Sequence, residues 1–127
     1  MYTAITQPDL TDLAVLKSAR YDEIDSKTGK LIAEGFVHNG ITFSLSANAQ
    51  ANLLGVYSAR ELLTYPFPWN AIDDSSTYNI ADAVEMVTFF MTALSTKKAR
   101  QDSGTALKIQ IREAVDIAAV NAIIDNR

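Results

Sequence analysis

Apolar residues recur at helical spacing through the first quarter of the chain. One stripe follows three- and four-residue steps and comprises Leu10, Leu13, Lys17, Tyr21, Ile24, Thr28 and Leu31. This pattern predicts a long helix over residues 9–33, capped by Asp9 or Thr11 and terminated by Gly35. Residues 25–30 are also typical of a tight turn between two strands. Because the stripe passes through them in phase, we favour the helix.

Asn39-Gly40 lies between two short runs of alternating apolar residues. This is the strongest local signal of a β-hairpin, because both central residues of a type I′ turn have positive φ. With this turn, the cross-strand pairs on one face of the ribbon are Phe36 with Phe43 and His38 with Ile41. Two strands alone are only marginally stable, so we expect the ribbon to lie on a helix.

A second helix is predicted from a cap at Ser46 to about Leu63. Its buried side is expected to comprise Leu53, Val56, Tyr57 and Leu63. The aromatic and proline run of residues 65–69 ends it, because the residue before each proline is pushed out of the α region. Residues 69–72 and 77–80 flank a polar four-residue loop and predict a second hairpin.

The last part of the chain predicts a long helix that Asp82 or Asn79 opens. Its apolar positions are Val84, Val87, Phe90, Met91 and Leu94. Residues 95–104 are almost wholly polar, so the helix either continues with its middle in solvent or breaks at residues 102–104. We favour continuity to about Glu113, where apolar residues have resumed.

A final helix over residues 117–124, with Asp116 as its cap, completes the pattern. The predicted fold class is α+β and helix-dominated: a long N-terminal helix, a β-hairpin, a helix, a second β-hairpin, a long helix and a short C-terminal helix. We expect residues 1–8 to form an N-terminal arm and residues 9–127 a single domain.

Composition narrows the classes of function. The 127 residues carry a formal net charge of −4 and contain no cysteine, which excludes disulfides, thiolate nucleophiles and cysteine-based metal sites. Nucleic acid is not an expected partner, because the single basic cluster, at residues 97–100, is followed two residues later by Asp102. No apolar stretch approaches the ~20 residues of a membrane span, and no signal peptide is visible. We expect a soluble protein made in a cytoplasm.

Candidate chemistry is sparse. His38 is the only histidine, so a catalytic dyad or triad would require it, with Ser44 or Ser46 as nucleophile. We interpret all three instead as turn-flanking and cap residues. The adjacent carboxylates of Asp73 and Asp74 lack the spacing of a calcium loop, and no glycine-rich phosphate loop is present. We therefore expect no enzyme, no cofactor and no metal.

Aromatic residues are the best candidates for partner contacts. Tyr65, Phe67 and Trp69 surround two prolines, and Tyr and Trp are favoured anchors of interfaces. Tyr2 and Ile5 are apolar residues in the predicted arm. The alternative for the aromatic run is packing over the core, which we favour for a small domain with one tryptophan.

Several short motifs carry a family resemblance. They are Glu34-Gly35-Phe36, Asn39-Gly40, Phe43, residues 48–52, residues 60–66 and the final Asp125-Asn126-Arg127. Together they resemble a small domain of unknown function from tailed-bacteriophage genomes, over most of the chain from about Leu16. The resemblance implies a gene context among tail, baseplate and tail-fibre genes, and it supplies no catalytic residue.

Two hypotheses of function follow from the resemblance. The first is a structural virion component of the tail, baseplate or tail fibre, located in the tail region after synthesis in the host cytoplasm. The second is an assembly chaperone for a tail or fibre protein that is not retained in the virion. An enzyme is a distant third. The expected partners are other phage tail, baseplate or fibre proteins, and a second copy of this chain is a further candidate.

Overall fold

The computed structural model describes residues 10–127, and these pack as two compact units. One unit comprises residues 30–100, and the other comprises the described residues up to 29 together with 101–127. Two long helices, α1 (Leu10–Ala33) and α3 (Ala83–Glu113), contribute residues to both units. The predicted arm, with Tyr2 and Ile5, lies outside the described residues. The predicted single domain over residues 9–127 stays a prediction.

Helix α1 confirms the first predicted element. It spans 24 residues and includes residues 25–30, so the alternative of a turn there is wrong. Ile24 and Leu31, both on the predicted stripe, are buried. Thr11 lies inside the helix rather than at its cap, and Asp9 is not among the described residues. The helix ends before Gly35, whose φ of 89° is the predicted left-handed conformation.

The first hairpin has the predicted register. Strand β1 (Phe36–His38) pairs antiparallel with β2 (Ile41–Phe43), and the pairs are Phe36 with Phe43 and His38 with Ile41. Asn39 and Gly40 have φ of 50° and 77°, as a type I′ turn requires. Gly35 also permits a close approach, because a Cβ there would lie 2.1 Å from the Phe43 carbonyl oxygen.

Helix α2 (Ala47–Ser58) begins as predicted but ends earlier. The Ser46 hydroxyl accepts a hydrogen bond from the Ala49 N–H, at 3.1 Å. The prediction of one helix to Leu63 is wrong, since a short 3₁₀ helix (Arg60–Leu62) follows α2. Side chains satisfy the carbonyls released there: Arg60 donates to the Tyr57 carbonyl and the Tyr65 hydroxyl donates to the Arg60 carbonyl.

The second hairpin begins two residues earlier than predicted. Strand β3 (Phe67–Asn70) lies within the aromatic and proline run, and it pairs antiparallel with β4 (Thr77–Ile80). Its half-buried Phe67 and Trp69 alternate with exposed Pro68 and Asn70. Proline is tolerated here because each strand of a two-stranded sheet is an edge strand. The six residues between the strands form the connecting turn rather than the predicted four.

Helix α3 is continuous over 31 residues, so a break at residues 102–104 is wrong. Asp82 is its cap, since its carboxylate accepts the Glu85 N–H at 2.8 Å. Of the apolar positions identified in the sequence, Val84, Met91 and Leu94 are exposed and Val87 and Phe90 are half-buried. The buried positions of α3 include Met86, Phe89 and Ala93. The polar middle does not lie wholly in solvent either, because Gly104 is buried.

Each unit has its own core. In the unit of residues 30–100, the rings of Phe36, Phe43 and Phe89 meet with centroids 4.9 to 5.5 Å apart. Leu45, Leu53, Ile80, Met86 and Ala93 complete this core. In the other unit, Ile24, Ile111 and Val120 are buried together. Val120 belongs to α4 (Ile117–Asn121), which Asp116 caps as predicted but which ends three residues early.

Candidate functional sites: a polar cluster and an apolar groove

A polar cluster centred on Glu85 lies in the unit of residues 30–100. His38 is 8% exposed, and its Nε2 lies 3.1 Å from Glu85 Oε2. The Tyr78 hydroxyl donates to the same carboxylate oxygen, while the Ala81 N–H donates to Oε1 at 2.8 Å. Asn39 donates to the Tyr78 hydroxyl at 2.6 Å. Both carboxylate oxygens are therefore occupied by protein donors.

Three elements position this cluster. His38 comes from β1 beside the hairpin turn, Tyr78 from β4, and Glu85 from the first turn of α3. The His38 ring meets the rings of Tyr78 and Phe89 edge-on, at centroid distances of 5.4 and 5.2 Å. The carboxylate of Glu85 thus joins both hairpins to the start of α3.

Hydrogen bonding decides the charge state of Glu85. Burial favours the protonated form of Glu85, but the hydrogen bonds from Tyr78, the Ala81 N–H and His38 outweigh it, so the pKa of Glu85 is lowered. The hydrogen bond to Glu85, together with burial, raises the pKa of Tyr78. At neutral pH, Glu85 is therefore an ionised carboxylate that accepts hydrogen bonds from Tyr78, the Ala81 N–H and His38.

The Ser44, Ser46 and Asp73 side chains, candidates for a nucleophile or a metal ligand in the sequence, form hydrogen bonds to residues two or three positions away in the chain. The Ser44 hydroxyl accepts the Ser46 N–H at 3.0 Å, and the Ser46 hydroxyl caps α2. Asp73 accepts the Ser75 N–H at 3.0 Å. Hydrogen bonds from the Ser75 side chain and then from its backbone lower the pKa of Asp73. Within residues 10–127, no group of three or more histidine and acidic side chains is arranged to hold a metal ion.

An apolar groove lies between α2 and α3. Its volume is about 350 Å³, and its lining comprises Leu45, Gln50, Ala51, Leu53, Leu54, Phe90, Ala93, Leu94 and Lys97. Leu54 is 57% exposed and Leu94 is 46% exposed, so both present apolar surface to solvent. Lys97 donates to the Gln50 side chain, which gives the groove one polar side.

Sequence reasoning missed this groove. The sequence identifies Leu94 only as an apolar position of α3, and it does not single out Leu54. The available signal was that both helices have apolar residues on more than one face, which exceeds what one buried stripe requires. The structure leaves the second face of each helix open, and these two open faces form the groove.

The predicted contact residues lie at the edge of the same core. Tyr65, Phe67 and Trp69 are half-buried and pack against the core cluster, as the packing interpretation predicts. Phe67 and Trp69 come together, with ring centroids 6.3 Å apart. They line a second, more open groove against Ala51 and Gly55 of α2. Their role as partner contacts stays a prediction.

The fold and these sites define a helix-dominated α+β protein with two antiparallel hairpins and an open apolar groove. The chain belongs to the family described as a domain of unknown function (DUF4376), whose family model matches residues 15–125. Searches of curated proteins and of solved structures found no match. Across residues 10–127, no helix has the length and apolar character that a membrane span requires.

Proposed function

We propose that this protein is a non-enzymatic interaction component of a bacteriophage tail, baseplate or tail-fibre apparatus. The observation that carries an interaction role is the α2–α3 groove with its exposed Leu54 and Leu94. The phage context rests on the resemblance of the Gly-Phe, Asn-Gly and residue 48–52 motifs to tailed-phage domains. The partner that we propose for the groove is another protein of that apparatus.

The chemistry of the groove suits a partner's apolar side chain. Fully removing a leucine side chain from water contributes about 1.5–3 kcal/mol, and the groove is lined by one half-exposed leucine from each helix, Leu54 of α2 and Leu94 of α3. Phe90 and Leu53 form its apolar lining, and the Gln50–Lys97 hydrogen bond supplies polar groups beside it. An apolar centre with a polar margin is the usual anatomy of a protein–protein interface.

The second groove, which Phe67 and Trp69 line, extends the proposal to another surface. Phe67 and Trp69 retain exposed area beside α2, and large aromatic side chains dominate the binding energy of many interfaces. Tyr65, and Tyr2 and Ile5 of the predicted arm, remain proposed contacts as well. The polar cluster fits the same proposal as a structural feature, since Glu85 joins both hairpins to the start of α3.

Mass spectrometry of purified particles tests whether the protein is retained in the virion. We expect it at a fixed copy number relative to the major tail proteins, with cross-links from its groove residues to one of them. Consistent absence from particles, together with binding to a tail or fibre protein before assembly, would replace the structural role with the chaperone role.

Single substitutions in the groove test the surface itself. Leu54→Glu and Leu94→Glu should each weaken incorporation, with a loss of roughly 2 kcal/mol or more in partner affinity, as expected for an anchoring residue. Both side chains are about half exposed, so the free energy of unfolding should fall by at most about 1.5 kcal/mol. Leu62→Glu is the matched control, because Leu62 is 89% exposed and does not line the groove. Equal incorporation of all three variants would refute this surface.

A further inference from the structure

Arg127 occupies a built site in the unit formed by residues up to 29 and 101–127. Its guanidinium lies against α1 and α3, and its side chain is only 13% exposed. Nη1 donates to the hydroxyls of Thr28 and Ser103, at 2.7 and 3.2 Å. Nη2 donates to the Ile24 carbonyl at 3.0 Å.

Asp125 completes the set of acceptors. Its Oδ1 accepts from Arg127 Nε at 2.8 Å, and its Oδ2 accepts from Nη2 at 2.7 Å. A guanidinium has five N–H donors in a rigid planar fork, and here five acceptor contacts meet them. The hydrogen bonds from Arg127 lower the pKa of Asp125, and the pKa of Arg127 is raised in return.

Gly104 leaves room for the Arg127 guanidinium because it has no side chain. A Cβ at this position of α3 would lie 3.1 Å from Arg127 Nη1 and 2.5 Å from the Thr28 hydroxyl. Both distances are shorter than ordinary van der Waals contact. The site therefore depends on a residue without a side chain, in addition to its four groups of acceptors.

We propose that Ile24, Thr28, Ser103 and Asp125 form a guanidinium-binding site, and that the Arg127 side chain is its tethered ligand, which latches α1 to α3. The site is specific for a planar fork. A lysine ammonium is a compact charge with three donors, so it cannot reach both hydroxyls, the carbonyl and the carboxylate together. The tether gives Arg127 an effective concentration in the millimolar range or above. A free guanidinium ligand should therefore bind measurably only when Arg127 is replaced.

Chemical rescue of Arg127→Ala tests the site. We expect this variant to lose at least about 4 °C in thermal midpoint, and millimolar guanidinium chloride to restore part of the loss in a saturable way. Sodium chloride at matched ionic strength should restore none of it. The matched control is Arg112→Ala, on an exposed residue of α3, which should show neither the loss nor the rescue. Arg127→Ala combined with Gly104→Ala should lose the rescue, because the new methyl fills the site.

Two further measurements test the site in the unaltered protein, so they do not depend on the folding of Arg127→Ala. In the unaltered protein, NMR should show that the Arg127 Nε–H exchanges with solvent at least about tenfold more slowly than that of Arg112. The midpoint should also be independent of protein concentration, since the ligand is tethered. Absence of slow exchange, or a rescue no larger than that by sodium chloride, would overturn the site. A concentration-dependent midpoint would overturn the tethered assignment in favour of exchange between two copies.

Discussion

Glu85 is the residue on which most of the polar structure of the 30–100 unit converges. Its carboxylate accepts from Tyr78, His38 and the Ala81 N–H, and its own N–H is bound by Asp82. Hydrogen bonds to a charged group contribute about 1.5–3 kcal/mol each when buried, roughly twice a neutral pair. The single histidine of the chain is thus one donor to a structural carboxylate, a role that its place beside a turn did not reveal.

Replacing Glu85 with Gln should therefore be costly. The amide keeps the shape but turns one acceptor into a donor that faces Tyr78 and His38, or the Ala81 N–H. We expect a loss of about 1–3 kcal/mol in the free energy of unfolding, measured by urea denaturation. Glu113→Gln, in the last turn of the same helix and exposed, is the matched control and should change stability by less than about 0.5 kcal/mol. An equal effect of both substitutions would show that the cluster does not stabilise the fold.

The same carboxylates predict how stability depends on pH. The pKa values of Glu85 and Asp125 are lowered in the folded protein from 4.5 and 3.8. The unfolded chain therefore binds protons more readily, and these groups contribute fully to stability only above about pH 4.5. The free energy of unfolding should fall as the pH drops below this value. Glu85→Gln should make the fall shallower, and an unchanged slope in urea titrations at several pH values would contradict this.

At the scale of elements, α3 shows why its ends could be predicted and its buried face could not. Val84, Val87, Met91 and Leu94 recur at helical spacing, and so do Met86, Phe89 and Ala93. Helical spacing alone does not indicate which of the two series is buried. Tertiary packing buries the series of Met86, Phe89 and Ala93, because the Phe89 ring contacts the rings of Phe36 and Phe43 in the first hairpin. The first series then remains in part on the surface, with Leu94 in the groove.

A pair of glycine substitutions tests how closely α1 and α3 approach at Gly104. Gly104→Ala should destabilise the protein by about 1–3 kcal/mol, since the new methyl overlaps the Thr28 hydroxyl. Gly29→Ala is the control within α1, where a Cβ would meet nothing within 4 Å. It should stabilise the protein by roughly 1 kcal/mol through helix propensity. Opposite signs in thermal unfolding support the close approach, and a stabilising Gly104→Ala would contradict it.

At the scale of the whole molecule, the described chain has two cores of unequal size. The core of residues 30–100 comprises eight buried apolar residues, among them three phenylalanines, whereas the other comprises Ile24, Ile111 and Val120. Each buried aliphatic or aromatic side chain contributes about 1.5–3 kcal/mol. The smaller core therefore relies more on buried polar contacts, of which the Arg127 site is the example.

Native-state hydrogen exchange should resolve the two cores. We expect amides of residues 86–93 to exchange through openings at least about 1 kcal/mol higher in free energy than amides of residues 103–110, although α3 is one continuous helix. The reason is that the first segment is buried among aromatic rings and the second is not. A single common opening energy for both segments would mean that the two units unfold as one.

Local patterns in the sequence predicted the order of elements and the register of the first hairpin, and they favoured continuity of both long helices. These follow from local rules: helical spacing, a turn that requires positive φ at Asn39 and Gly40, and caps at Ser46, Asp82 and Asp116. The Glu85 cluster, the α2–α3 groove and the Arg127 site were decided only by tertiary structure. Each joins residues that are far apart in the chain, and which of several apolar faces is buried depends on what packs against it rather than on its spacing.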